Sequence, residues 1–486
     1  MTMQFDFDLD GDRLREECGV FGIYGHADAA ALTALGLHAL QHRGQEAAGI
    51  VSFDGNRFQT ERRLGLVGDH FTSGKVIDRL QGNSALGHVR YSTTGETIIR
   101  NVQPLFAELA SGGLAVAHNG NLTNGLTLRK QLIAQGAICQ STSDTEVILH
   151  LVAQSKKQRM VERFIDALRH LEGAYALVAI TNKKVIGARD PLGIRPLILG
   201  ELNGAYMLCS ETCALDIIGA KFVREVENGE VVVISDEGVE SLRPFPKQPA
   251  RPCIFEYIYF SRPDSILNGR SVYEVRKAMG RQLALESAVD ADVVVPIPDS
   301  GVPAALGFAR ETGIPFELGI IRNHYVGRTF IEPTQTIRSL GVKLKHNANR
   351  AAVEGKRIVL VDDSIVRGTT SVKIVRMMYE AGAREVHMRI SSPPIAHPDF
   401  YGIDTPEQKA LLAATHSLDE MRDYIGVDSL SFLSVDGVYR AVGLQGRDNA
   451  RPQFTDHCFT GDYPTPLTDM AGEHGKQKPA LLAEAG

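Results

Sequence analysis

At 486 residues the chain is too long for one ordinary hydrophobic core and points to two domains, since a domain usually holds ~100–200 residues. A net charge of −6, with Lys and Arg interspersed among the acids, supplies no basic field and argues against nucleic acid as a partner. No run approaches the ~18 apolar residues of a membrane span, and the start MTMQFDFDLDGD is acidic where a secretory segment would be basic.

In chain order, the leader Met1–Glu17 matches the calcium-loop pattern D-x-D-x-D-G-x₅-E through Asp6, Asp8, Asp10, Gly11 and Glu17. Calcium is not expected there. Only five residues precede Asp6, which leaves no room for an entering helix, and Arg13 replaces the apolar residue such a loop turns inward. Cys18 follows, directly before the apolar pattern GVFGIYG. A single cysteine normally packs a core, and the six in this chain, none in a C-x-x-C pair, suit reduced thiols in a cytoplasmic protein.

Cys18 has companions downstream: QHRGQEAAGI (Gln41–Ile50), GHVRYSTTG (Gly87–Gly95), HNGNLTN (His118–Asn124) and SDTE (Ser143–Glu146). Short strand patterns recur through this half at Leu86–Tyr91, Leu114–His118, Tyr175–Thr181 and Glu230–Ile234, with an amphipathic stretch at Arg129–Gly136; the reading is α+β. Taken singly, Arg90 reads as a surface charge, HNG as a hairpin turn and Asp144 as a helix cap. Together and in this order the motifs resemble the class II glutamine amidotransferases, which implies an N-terminal-nucleophile (Ntn) hydrolase fold, an αββα sandwich, over residues 18–240.

That resemblance implies that residues 1–17 are a propeptide removed at Glu17–Cys18. Cys18 would then carry a free α-amine with a reference pKa of ~7.7–8.0, close to working pH, and so contain its own general base. It further implies that Arg90 holds the glutamine carboxylate and Asp144 its ammonium, with Arg43 a further contact near the nucleophile. Asn119 and Gly120 would form the oxyanion hole, where removing one donor typically costs ~3–4 kcal/mol.

The stretch SLRPFPKQPARPC (Ser241–Cys253) packs four prolines together and cannot continue a helix or a central strand; the domain boundary is expected there. Beyond it strands and helices alternate: Asp292–Ile297 and a helix from Val302, Leu318–Ile321, Arg357–Val361 and another helix, then Val386–Ile390. The expectation is an α/β domain over 254–463 with a parallel sheet. VVVPIPDSG (Val293–Gly301) sets Asp299 and Ser300 between a strand and a helix, placed for pyrophosphate or its Mg²⁺. Ile320–Asn347 is rich in Arg, Lys, Gly and Thr without a period, with Arg328, Lys343 and Lys345 as candidate partners for pyrophosphate.

RIVLVDDSIVRGTTS (Arg357–Ser371) is the strongest motif. A buried strand ends in Asp362 and Asp363, hard carboxylates for Mg²⁺ or ribose hydroxyls at a strand's carboxyl end. Gly368, Thr369, Thr370 and Ser371 then lead into a helix whose free N–H groups suit a phosphate. The run resembles the phosphoribosyl pyrophosphate (PRPP) signature of the type I phosphoribosyltransferases, and Ile320–Asn347 resembles the loop that closes over PRPP in that family, excluding water.

A family joining both halves is implied by FEYIYFSRPDS (Phe255–Ser265), ISSPPIAHPDFYGID (Ile390–Asp404) and DSLSFLSVDG (Asp428–Gly437). In it glutamine yields ammonia, which displaces pyrophosphate from C1 of PRPP to give 5-phosphoribosylamine, the opening step of purine synthesis, with one Mg²⁺ per subunit, feedback by purine nucleotides and a dimer or tetramer. One branch of that family holds a [4Fe–4S] cluster on four cysteines. Here Cys253 and Cys458 match two of those positions while Asp399 and Thr455 replace the others, so no cluster is expected. His457 and Asp399 could complete a zinc site with the two cysteines, although the spacing is unlike usual zinc motifs. The alternatives are an ammonia-only phosphoribosyltransferase and a PRPP-sensing regulator with a silent amidase domain. Residues 464–486, polar and Pro/Gly-rich, are expected to be a flexible tail.

Overall fold

The structure, a computed structural model, describes residues 18–72, 74–91, 98–323 and 346–470. The leader, Arg328, Lys343 and Lys345 therefore lie outside the described residues, as does the tail beyond Met470.

The first half forms two facing antiparallel sheets. In chain order its strands are β1 (Gly19–Tyr24), β2 (Ala47–Phe53), β3 (Phe58–Leu64), β4 (Ser84–Arg90), β5 (Leu105–Leu109), β6 (Gly112–Leu122), β7 (Gly173–Thr181), β8 (Val185–Arg189), β9 (Ile198–Leu202), β10 (Ala205–Cys209), β11 (Lys221–Glu225), β12 (Val231–Ser235) and β13 (Gly238–Leu242). The sheets run β11-β9-β10-β1-β4-β2-β3 and β13-β12-β8-β7-β6-β5.

Side chains alternating across each pleat explain the layering. In β1, Val20 points into the core between the sheets with Leu86, Ala117 and Val178, while Phe21 and Ile23 face the helix Ala29–Ala39. The outer face of the second sheet is covered by the helices Thr145–Gln154 and Met160–Leu168 through Ile148, Val152 and Phe164. The result is the expected αββα sandwich.

The proline-rich stretch follows β13 and leads to a π-helical turn, Glu256–Phe260. After a small hairpin, β14 (Ile266–Leu267) and β15 (Arg270–Ser271), come β16 (Val293–Pro296), β17 (Ile320–Arg322), β18 (His346–Ala348), β19 (Arg357–Asp362), β20 (Glu385–Ile390) and β21 (Ser429–Phe432). Four of them make a parallel sheet in the order β16-β19-β20-β21. Its two faces feed two cores: Val359 and Val361 join helices Val272–Ser287 and Val302–Thr312, whereas Ile358 and Leu360 join Ile374 and Met378 of helix Thr369–Glu380. Burial on both faces is why β19 reads as an unbroken apolar run.

Two expectations need correction. Leu318–Ile321 does not enter the parallel sheet: the chain touches the sheet edge at Phe316 opposite Val294, then turns away, and β17 pairs antiparallel with β18. Ile320 is buried but Ile321 is 47% exposed, a one-sided strand unsuited to a sheet covered on both faces. The tail is also not loose from Pro464. Thr465 donates to the Tyr401 hydroxyl, and Asp469 accepts from the N–H groups of Leu126 and Thr127 at 2.7 and 2.9 Å.

Candidate functional site

Cys18 stands immediately before β1, at the middle of the first sheet between β10 and β4. It is 8% exposed, and its thiol donates to the Tyr91 carbonyl at 3.5 Å. Burial pushes the thiol up to about 11, with the Arg90 charge pulling the other way. A neutral thiol at physiological pH is a poor nucleophile and requires a base.

Arg90 closes β4 opposite Ala47 of β2 and is 3% exposed. Burial lowers its pKa, opposed by the charges of Cys18, Glu46 and Asp144. Asp144 precedes the helix Thr145–Gln154. Burial would raise its carboxyl, but His118, with Nδ1 3.6 Å away, and the N–H of Leu122 at 2.9 Å hold it below the usual carboxylate range. The charges of Arg90 and Asp144 thus both act on the Cys18 thiol, and that of Asp144 on Arg90 as well.

Asn119 and Gly120 are consecutive in β6, opposite Ala176 and Tyr175 of β7. Asn119 is fully buried, and neither its Nδ2 nor its Oδ1 has a hydrogen-bond partner among the described residues. Leaving such a group unpaired costs ~1–3 kcal/mol, so this amide fits a donor that awaits a ligand. Gly120 has φ +139°, and a Cβ there would stand 2.2 Å from the Ala174 carbonyl oxygen; only glycine fits.

Arg43 requires a correction. It was expected to touch glutamine, yet its side chain has no exposed surface. Its Nε donates to the Cys18 carbonyl at 3.2 Å, and its terminal nitrogens bind Glu211 at 2.5 Å and Glu256 at 2.7 and 3.0 Å. Burial opposes the charge, but the two carboxylates outweigh it and hold the guanidinium's pKa up. Glu211 belongs to the first half and Glu256 to the second. Glu211 also accepts from the Arg262 N–H and the Ser265 hydroxyl of the second. The sequence reading missed both acids; Glu256 stood inside the quoted string FEYIYFSRPDS, whereas Glu211 carries no local signal.

In the second half, Asp362 ends β19 and Asp363 follows, donating its N–H to Asp362 Oδ1 at 2.9 Å; Ser364 donates to Asp363 at 2.7 Å. Gly368, with φ +80°, caps the helix Thr369–Glu380, so Thr369, Thr370 and Ser371 form its first turn, at the positive end of the helix dipole that suits an anion. Asp299 and Ser300 follow the neighbouring strand β16 and precede the helix Val302–Thr312. β16 and β19 are hydrogen-bonded neighbours, so both acidic strand ends open on one edge. The hard oxygens of Asp362 and Asp363 fit a magnesium ion by donor type. Asp299 pairs with Arg322 of β17, a cation the sequence reading did not single out.

The cysteine positions fit a four-thiolate cluster poorly. Asp399 Oδ1 accepts from the N–H groups of Tyr401 and Ile403 at 2.7 and 2.8 Å, and Thr455 donates to the Arg251 carbonyl. Burial pushes the Cys253 thiol up to about 12 and the Cys458 thiol well above its ordinary value. The donor atoms of Asp399, His457 and Cys458 do lie within 4.8 Å of one another.

No helix among the described residues is long and apolar enough to cross a membrane. A family model described as a glutamine amidotransferase domain matches residues 88–216, and one described as a phosphoribosyl transferase domain matches 264–391. The chain is 66% identical to an amidophosphoribosyltransferase of Rhizobium etli, over 99% of this chain and 98% of that one. It is 52% identical to the Bacillus subtilis amidophosphoribosyltransferase, over 93% and 95%. Among solved structures it resembles a B. subtilis glutamine PRPP amidotransferase complexed with ADP and GMP, with a TM-score of 0.88 at 51% identity over 93% of this chain and 98% of that one.

Proposed function

The chain belongs to the amidophosphoribosyltransferase family, and from that premise we propose how its residues divide the work. The enzyme joins a glutamine amidotransferase to a phosphoribosyltransferase and performs the first step of purine biosynthesis. We assign the first activity to 18–240 and the second to 254–463, with 1–17 removed as a propeptide. The single observation that carries the assignment is that Cys18 and Arg90 are buried and that the charges of Arg90 and Asp144 both reach the Cys18 thiol.

In this reading the α-amine freed at Cys18 takes the thiol proton, and sulfur attacks the glutamine amide carbon. Arg90 and Asp144 hold the substrate's carboxylate and ammonium. The oxyanion lies against Asn119 Nδ2 and the Gly120 N–H. Its collapse breaks the C–N bond, ammonia leaves with the proton held by the amine, and water hydrolyses the thioester to glutamate. Arg43 does not touch glutamine; it holds the Cys18 carbonyl and thereby the position of the nucleophile.

Ammonia then forms a bond to C1 of PRPP as the bond to pyrophosphate breaks. Gly368, Thr369, Thr370 and Ser371 receive the 5-phosphate, while Asp299 and, from the segment 324–345, Arg328, Lys343 and Lys345 serve the pyrophosphate side. Ser300, Asp362 and Asp363 would hold one Mg²⁺ per subunit, which when bound neutralises charge on the departing pyrophosphate. A cytoplasmic homo-oligomer restrained by purine nucleotides completes the proposal; the B. subtilis relative complexed with ADP and GMP supports the nucleotide part.

The test compares pyrophosphate release driven by glutamine and by ammonia, alongside the mass of the purified chain. Removal of 1–17 is expected, and Cys18→Ser should reduce the glutamine-driven rate by a factor of at least ~10³ while the ammonia-driven rate persists. An intact leader with ammonia-driven activity alone would replace this reading with the ammonia-only one.

A further inference from the structure

A segment of the second half reaches the proposed oxyanion hole. The loop 399–403 lies against β6: Asn121 Nδ2 donates to the Phe400 carbonyl at 2.9 Å. Gly402, at φ +119°, comes so close that a Cβ on it would stand 3.1 Å from the Cα and carbonyl carbon of Gly120.

The loop's shape is fixed from within and behind. The two N–H groups on Asp399 Oδ1 close it into a tight bend, and the Asp399 N–H donates to Thr405 Oγ1 at 2.7 Å. Arg195 Nε donates to the Tyr401 carbonyl at 2.9 Å, and Asp399 Oδ2 lies 2.7 Å from His457 Nε2, both side chains being almost wholly buried. The Arg195 charge acts on Asp399, Cys253 and Cys458 alike. A cation is thus already present beside this group. Oδ1 carries both loop N–H groups and Oδ2 faces the His457 ring, an arrangement that ties the loop to the segment behind it and favours a structural pin over a further metal ion.

We propose that the loop 399–403, pinned by the Asp399–His457 pair, positions the oxyanion hole from the second half, making Asp399, Gly402 and His457 positioning residues for glutamine hydrolysis. The proposal rests on the assignment of Asn119 and Gly120. A donor acts on an oxyanion only if its distance and direction are set before the charge develops. Backbone pressed on Gly120 fixes both. Loss of the loop's shape therefore slows hydrolysis without weakening glutamine binding, because Arg90 and Asp144 lie on other elements.

Gly402→Ala and Asp399→Asn, made in the full chain, test this. Gly402→Ala should lower the glutamine-driven kcat by about 10–100-fold, the scale of a misplaced catalytic group, with the KM for glutamine and the ammonia-driven rate within about threefold. Asp399→Asn should give the same pattern at about tenfold or less, and decides the matter if Gly402→Ala fails to fold. Equal loss of both rates, or an unchanged glutamine-driven kcat, would overturn the proposal. Asn119→Ala separates the two ideas: if it leaves the glutamine-driven rate intact, the oxyanion assignment itself fails; if it lowers that rate while both loop variants do not, only the loop proposal fails.

Discussion

The two centres are built in opposite ways. Around Cys18 the assigned groups are buried and tuned by other buried side chains; Arg90 and Asn119 are 3% and 0% exposed. At the phosphoribosyl end Asp299 keeps 58% of its side-chain surface, and the assigned anion contacts are N–H groups at a helix start. The chemistry explains the contrast. Thiol attack on an uncharged amide needs donors preorganised away from water, whereas a polyphosphate substrate brings its own charge and is met at an open edge by the start of a helix. One centre depends on side chains held by long-range packing, the other on backbone and two strand ends.

The largest test of that contrast is on the open side. Asp363→Asn should lower the glutamine-driven and the ammonia-driven rate together, by about 10³-fold if charge neutralisation contributes ~4 kcal/mol to the transition state. Parallel loss in both assays marks a residue of the common second step. A fall confined to the glutamine-driven assay would place Asp363 outside the transferase chemistry.

Next in size is Asn119→Ala on the buried side. Removal of one oxyanion donor should cost the glutamine-driven kcat about 10²–10³-fold and leave the ammonia-driven rate unchanged. Because both Asn119 side-chain atoms are unpaired and buried, the variant also loses a desolvated amide, so its melting temperature should hold or rise. A lower melting temperature with equal loss in both assays would make Asn119 a core residue.

The same contrast decides what was legible in the sequence. β19 and its acids could be read because a strand, two carboxylates and a Gly-led helix start are consecutive, and physical proximity follows from chain order. The Cys18 motifs were legible only as a resemblance, since nothing local joins Cys18 to Arg90 or Asp144. Arg43 was read as a substrate contact because its partners Glu211 and Glu256 lie 168 and 213 positions away. β17 followed a strand pattern, but β pattern alone does not say which sheet a strand enters. Polar, proline-containing composition made the tail look free, and composition carries no sign of a partner distant in sequence.

That tail supplies the smallest expected effect. The helix Gly125–Ala134 starts at Asn124, whose side chain makes no cap hydrogen bond; Asp469 supplies the cap instead, accepting from Leu126, Thr127 and the Thr127 hydroxyl, while its own N–H donates to the Thr123 carbonyl. Loss of a cap costs ~0.5–2 kcal/mol, and in a domain of this size that corresponds to a melting-temperature drop of ~2–4 °C per kcal/mol. Asp469→Ala should show that drop by calorimetry. The capped segment adjoins Leu122, whose N–H holds Asp144, so any kinetic effect should fall on the KM for glutamine rather than on the ammonia-driven rate. A change in the ammonia-driven rate instead would mean that the tail serves the open centre, which its contacts with Thr123, Leu126 and Thr127 in the first half argue against.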